Sequence, residues 1–584
     1  MRRLPDIDLE EASTRSASRP AYSMRSSTRC FSRILSQPCR SLKWVFAMVI
    51  FISVSGTIYL AMFTSRLDHV FPSRHTPEPV SRADLESLVV PHRSTKPSST
   101  RHLRLFMSAD SPHLNLCKTI MSAVALGYPM PTLLNWNREY NRPSWHFGGS
   151  HIAKLESLLG GIEALLEDAD DDAGEDDIAI LVDAYDLWFQ LPPSVLLQRY
   201  HQLNSEADAR VRKQWADLNL NADFPISPPR QDIIITTAKD CFPDAHSGSD
   251  PRYQHWPESP MPKDMYGEGT DHVSWSIDPA RKHRKVRPRC VNSGIVMGSL
   301  GALRDTLRRC KEKIDSVAMN GRQLWSDQAL IGEALGDQEI WREWARHLGA
   351  SWNGSIAHND RTSLSPAVRS IADAALLGRR FEFGIGLDYN FTTVPPTCSS
   401  EEDGYFVRLS NDSNVRAESD KAGVPGEVRV HGVPPELRNT RDRLLFKTDW
   451  GSVPLYTDFF FGVTPVGIHH NAYVGGLKAW RLRNWWDKMW YYPQLRDLIT
   501  QRLKTTSGKP TPLAEVEGDD KERIVYWAPR EDQERKMASV FSPLKPPGSK
   551  FEPIGWDGVC QKKSSGDKWY DELFGDGKGP LDAN

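Results

Sequence analysis

Ile178-Ala-Ile-Leu-Val-Asp-Ala-Tyr-Asp186 is the stretch whose reading decides the fold. Five apolar residues in a row, three of them β-branched, predict a strand buried on both faces. Such strands belong to the interior of α/β sheets. The apolar run stops at Asp183, and a second carboxylate follows at Asp186. Where a strand opens into a loop, two carboxylates three residues apart can converge on a hard divalent cation such as Mg²⁺ or Mn²⁺. The competing local reading is an Asp-rich turn in which one Asp caps the next helix.

Working outward, the flanking segments alternate in period. Leu103-Arg-Leu-Phe-Met107 reads as a strand, and Leu114, Ile120 and Val124 mark a helix after it. Met130 to Leu134 reads as a second strand. His151 to Leu166 has apolar residues three and four apart, the pattern of an amphipathic helix. Beyond the central stretch, Asp232 to Thr237 and Val291 to Met297 read as two more buried strands. The alternation predicts an α/β class with a Rossmann-like, mainly parallel sheet, whose ligands sit beyond the carboxyl ends of the strands.

The remaining chain is less regular. Seven acids between Asp168 and Asp177 read as a solvated loop. Residues 244–288 read as an insertion ending in the basic run Arg281 to Arg289, and 399–445 as a second insertion. Trp480, Trp485, Trp486 and Trp490 are expected to pack a C-terminal helix into the core. The Pro-, Gly- and Lys-rich segment 506–584 is expected to be an irregular tail.

The N-terminal part predicts membrane attachment. Trp44 to Phe63 is twenty residues without a charge, enough at about 1.5 Å per residue to span the roughly 30 Å hydrocarbon layer. Basic residues crowd the preceding segment from Arg2 to Lys43, and only Arg66 lies close on the far side. This bias places residues 1–43 in the cytosol as a disordered tail and everything after Phe63 on the luminal side, a single-pass type II arrangement. Residues 64–102, rich in Pro, Ser and Arg, read as a stem. Three sequons follow the anchor, at Asn353, Asn390 and Asn411, as do six of the eight cysteines, whose pairing the spacing leaves open. Lys plus Arg is 73 and Asp plus Glu is 75, so nothing in the charge supports nucleic-acid binding.

Several motifs occur in an order that resembles one family. The segment VDAYDLWFQLPPSVLLQRY (182–200) looks like the donor site of the glycosyltransferase domain of the procollagen lysyl hydroxylase and collagen galactosyltransferase family. DIIITTAKDCFP (232–243), CVNSGIVMGS (290–299), Trp325-Ser-Asp-Gln328, GLDYNF (386–391) and PVGIHHNA (465–472) are similar to that family's later blocks. The resemblance implies a GT-A-like nucleotide-sugar domain over residues 103–505. It further implies a metal-dependent transfer of a hexose from a UDP-sugar to a hydroxyl of a protein or glycan, in the lumen of the Golgi or endoplasmic reticulum. Carried over by position, Asp183, Asp186 and His469 would hold Mn²⁺ or Mg²⁺. Tyr185, Asp183, Ser108 and Lys154 would bind the donor, and Asn292 and Asp327 would face the sugar and acceptor. With only 506–584 following this region, the family's separate oxygenase domain is not expected here.

Three positions depart from the pattern. One member of an Asp pair is Ser326, the glycines around His469 are replaced by His470 and Ala472, and an expected acid is Lys239. His470 leaves two candidates for the imidazole ligand. The departures also motivate a second expectation: a membrane-anchored carbohydrate-binding or scaffolding protein on a degenerate transferase fold.

Overall fold

The computed structural model describes Ala83, Leu85 and residues 98–581, apart from 146–148, 169–171, 219, 221–223, 273–281, 353–363, 399, 401–402, 425–428, 439–447, 473–474, 505–510, 519–521, 531, 533–535 and 562–567. The segment expected to be a cytosolic tail, the anchor expected at Trp44–Phe63, nearly all of the expected stem and the sequon at Asn353 lie outside these residues. Among the described residues no helix is long and apolar enough to cross a membrane.

A ten-stranded mixed sheet organises the chain. Its strands are β1 (Thr100–Ser108), β2 (Thr132–Leu134), β3 (Ile178–Asp183), β5 (Ile233–Ala238), β6 (Cys290–Ser299), β7 (Ile385–Asp388), β11 (Ala514–Glu517), β12 (Arg523–Trp527), β13 (Ala538–Phe541) and β14 (Phe551–Ile554). The short β4 (Leu187–Phe189) and β10 (Gly467–His469) pair with each other, as do β8 (Gly404–Val407) and β9 (Leu455–Asp458). The order along the main path is β14-β13-β2-β1-β3-β6-β5-β7. β1 is parallel to β3 and β2, whereas β6 runs antiparallel to both β3 and β5. The sheet is therefore mixed but still mainly parallel, as expected: β6, β11 and β14 run against the other strands.

The central strands are buried on both faces because each face meets its own core. Ile178, Ile180 and Val182 point into one cluster with Leu103, Leu105, Met107, Ile295 and Met297. Ala179 and Leu181 point into the other with Phe106, Ile233, Ile235 and Val296. On the first face lie α1 (Leu114–Leu126) and α3 (Pro193–Ala216). On the second lie α2 (Gly149–Glu167), α4 (Leu300–Met319) and α5 (Asp327–Ser351). Trp485, Trp486 and Trp490 are buried in the first core, as expected, and Trp480 is half-buried at its edge.

The expectation of an irregular tail after residue 506 is overturned. β12 lies parallel to the first residues of β1, β11 extends it, and β13 lies parallel to β2 with β14 outside it. These strands are four or five residues long. Strands so short carry too little periodicity to read, and pairing with distant partners forms them. A disulfide from Cys117 in α1 to Cys560 fixes the same region, and Cys241–Cys290 joins the end of β5 to the start of β6. Cys310 and Cys398 are buried thiols.

Among its described residues, the insertion at 244–288 contains only short 3₁₀ turns. Its basic end is partly structural: Arg287 donates to the carbonyls of Ser259 and Met261, and Arg289 to that of Trp256. The insertion at 399–445 contributes β8 and the helix α6 (Asp412–Ala422). In the acidic run, Asp172 and Glu175 are exposed. Asp177 is buried, accepting the His102 backbone N–H at 2.7 Å.

Candidate metal and nucleotide site

The site forms where β3 ends. After Asp183 the chain turns through Ala184 to Asp186 and enters β4, which pairs antiparallel with β10 so that Leu187 stands opposite His469. The backbone N–H of His470 donates to the carbonyl of Asp186 at 2.7 Å. This two-strand contact delivers His469 to the carboxylates. Its Nε2 lies 3.3 Å from Asp183 Oδ2 and 3.4 Å from Asp186 Oδ2. One ligand atom from each of the three residues falls within a 4.8 Å cluster. Adjacent ligands on an octahedral ion bonded at about 2.1 Å stand about 3 Å apart, so the donor set and spacing fit Mg²⁺ or Mn²⁺.

The neighbouring histidine is excluded by packing. His470 is fully buried, with its ring 4.1 Å from that of Trp188 and 5.7 Å from that of Trp485. Neither ring nitrogen has a hydrogen-bond partner among the described residues. His469 in turn lies against β6 at Gly294, where a Cβ would stand 2.3 Å from its Nδ1.

Two lysines balance the acids. Lys154, on α2, is buried and donates to Asp183 Oδ1 at 2.6 Å and to the Ser293 carbonyl at 2.7 Å, and it pairs with Asp327 Oδ2 at 3.1 Å. It thus links the proposed metal and acceptor carboxylates. Lys478 lies 2.5 Å from Asp186 Oδ2. Burial favours the neutral acid at Asp186, but the charge and hydrogen bond of His469, with the charge of Lys478, outweigh it and hold the pKa at about 2. At Asp183, burial is likewise overcome by Lys154 and His469, which hold it well below the usual carboxylate range.

The other expected residues ring this centre. Asp327 is in the first turn of α5, and the cap is Ser326, whose Oγ accepts the Ala329 N–H at 3.1 Å. The position that lacks an acid, Ser326, therefore caps the helix, and Asp327 follows it in the first turn. Asn292 Oδ1 accepts the Gly294 N–H at 3.1 Å, the bond of a local turn. Ser108 ends β1 directly opposite Asp183. The Tyr185 hydroxyl accepts N–H bonds from Asp110 and Ser111 at 3.1 and 3.2 Å and pins the loop after β1. Gln328, the last residue of the Trp325-Ser-Asp-Gln block, accepts the Ser293 N–H and donates to the Phe242 carbonyl. Lys478 is not among the residues expected from the sequence, and it lies in no recognisable spacing.

Lys239 does not join the site. It is buried, with Nζ 2.5 Å from Asp403 Oδ2 and 4.1 Å from the Tyr266 ring centroid. Nearby Asp458 is fully buried, and burial together with the Asp403 charge pushes its pKa up to about 8. Its unfolded value is about 4. Between those values the folded state holds an extra proton, so the contribution of Asp458 to stability falls as pH rises from about 4 to about 8. Asn keeps the Oδ1 that accepts the Phe460 and Phe461 N–H groups. Asp458→Asn is therefore expected to raise the melting temperature by at least ~3 °C more at pH 8 than at pH 5. An equal change at both pH values, read by calorimetry, would contradict this.

No protein-family model matches the chain, and no curated protein matches it.

Proposed function

We propose that this protein is a metal-dependent glycosyltransferase that moves a hexose from a UDP-sugar to a hydroxyl of a protein or glycan. The observation that carries the reading is the convergence of Asp183, Asp186 and His469 beyond the carboxyl end of β3, where open α/β sheets place their ligands. The ordered motifs and their likeness to the lysyl hydroxylase and collagen galactosyltransferase family support it. A bound divalent ion would supply Lewis acidity toward the leaving diphosphate.

The residues divide the remaining work. Asp183, Asp186 and His469 hold the ion. Lys154 fixes the orientation of Asp183 relative to Asp327. Asp327, its carboxylate held by that ammonium, orients the acceptor hydroxyl and accepts a hydrogen bond from it. Tyr185 and Ser108 line the nucleotide side at the ends of β3 and β1. The anchor at Trp44–Phe63 tethers the domain in the lumen of the Golgi or endoplasmic reticulum as a type II membrane protein. On that topology the exposed Asn411 and half-buried Asn390 meet the glycosylation machinery.

Calorimetric titration of the full-length protein with UDP, with and without Mn²⁺, tests the reading. Binding only with Mn²⁺ is expected, followed by UDP release from one sugar nucleotide in a donor screen. Absence of UDP binding under both conditions would refute it. Metal-dependent binding without release from any donor would favour a carbohydrate-binding protein on the same site.

A further inference from the structure

The oxygen of Asp186 that faces His469 already carries a cation. Lys478 is the second residue of α7 (Leu477–Asn484), and its ammonium lies 2.5 Å from Asp186 Oδ2, the same atom that is 3.4 Å from His469 Nε2. The two lysines at the site differ in kind. Lys154 is buried and held by Asp183, Asp327 and the Ser293 carbonyl. Lys478 has a half-exposed side chain, and Asp186 is its one ion-pair partner among the described residues. A single ion pair half open to water contributes little, so it yields readily to a stronger ligand.

The ammonium and a divalent ion compete for one oxygen, because an ion at coordinating distance from Oδ2 stands where the ammonium now donates. We propose that Lys478 is an exchangeable stand-in for the metal, which closes the site in the metal-free protein and leaves Asp186 when the ion enters. This inference rests on the reading of Asp183, Asp186 and His469 as metal ligands. The charges favour exchange over addition. Three carboxylates, Asp183, Asp186 and Asp327, face two ammonium groups. A divalent ion joining both lysines leaves the cluster positive, whereas replacing Lys478 leaves it neutral.

Once displaced, Lys478 stays tethered to the first turn of α7, beside the ion. The N-cap, Gly476, has no side chain to cap the first-turn amides, and the N-terminus of a helix adds positive potential close to the residues of its first turn. An anionic diphosphate bound to the ion stabilises the displaced lysine there. Metal and nucleotide therefore bind cooperatively through Lys478, each raising the affinity of the other.

Mn²⁺ binding to the full-length protein, measured by calorimetry and electron paramagnetic resonance with and without UDP, tests this. Without UDP, Lys478→Met is expected to bind Mn²⁺ about tenfold more tightly than the wild type, and the gain in Mn²⁺ affinity that UDP confers is expected to shrink about tenfold. Lys478→Arg, which keeps the cation, is expected to behave as the wild type. Unchanged or weaker Mn²⁺ binding by Lys478→Met without UDP overturns the exchange. If the wild type binds Mn²⁺, Asp186→Asn does not and Lys478→Met is unchanged, the metal site stands and the exchange alone fails. If the wild type binds no Mn²⁺ even with UDP, the metal site itself is wrong and the exchange falls with it.

Discussion

Asp186→Asn is expected to lower Mn²⁺-dependent UDP release by at least ~100-fold while the protein remains folded. The substitution keeps the shape of a buried side chain and removes the charge that a hard cation requires. Little in the fold depends on that charge. Of the partners left behind, Lys478 is half-exposed and returns to water at small cost, and His469 keeps Asp183 at 3.3 Å. The link between β4 and β10 uses the backbone carbonyl of Asp186, which is untouched. Loss of turnover with a melting temperature within a few degrees of wild type would match the assignment. Wild-type turnover in this variant would remove Asp186 from the metal site.

Gly294→Ala tests the same site from the opposite strand. A Cβ there would stand 2.3 and 2.5 Å from Nδ1 and Cε1 of His469 and 3.0 Å from Asn292 Oδ1. The ring is nearly buried, between β6 on one side and the two carboxylates on the other. It can accommodate the methyl only by moving away from the position that faces both acids. The expected result is a loss of Mn²⁺ affinity of roughly 10–100-fold, the scale seen when the surroundings of a metal ligand are disturbed. Overpacking is expected to cost about 1–3 kcal/mol in stability. Gly298→Ala provides the control. It lies on the same strand, where its Cβ would stand 2.8 Å from Ile233 Cγ1 and far along the strand from His469. It should lose comparable stability and keep its Mn²⁺ affinity. Equal losses of affinity in both variants would mean that general destabilisation, not the His469 contact, governs the site.

The legible parts of the sequence were those where local pattern and burial agree. Ile178–Val182 reads as a strand because five apolar residues in succession need apolar partners on both faces, and the two cores supply them. The periodicity of His151–Leu166 reads as a helix for the same reason, with one face of α2 turned to the sheet. Strand direction was less legible. The antiparallel course of β6 follows from how the chain returns to the sheet, which no residue type in CVNSGIVMGS encodes. The start of α5 is not legible either: Ser326 and Asp327 are both residue types that cap helices, and only the backbone shows that Ser326 does so.

For the opening stretch, the sequence by itself determined a buried strand ending in two carboxylates, because hydrophobic periodicity and charge are local properties. The tertiary structure alone decided what meets those carboxylates. Pairing of β4 with β10 selects His469, and packing against Trp188 and Trp485 withdraws His470. Helix α2 sends Lys154 between Asp183 and Asp327, and α7 brings Lys478 to Asp186. The segment after residue 506 gains its strands only by joining β1 and β2. Each of these contacts joins residues far apart in the chain, and the free energy that makes them comes from surfaces buried together only when the whole sheet has formed.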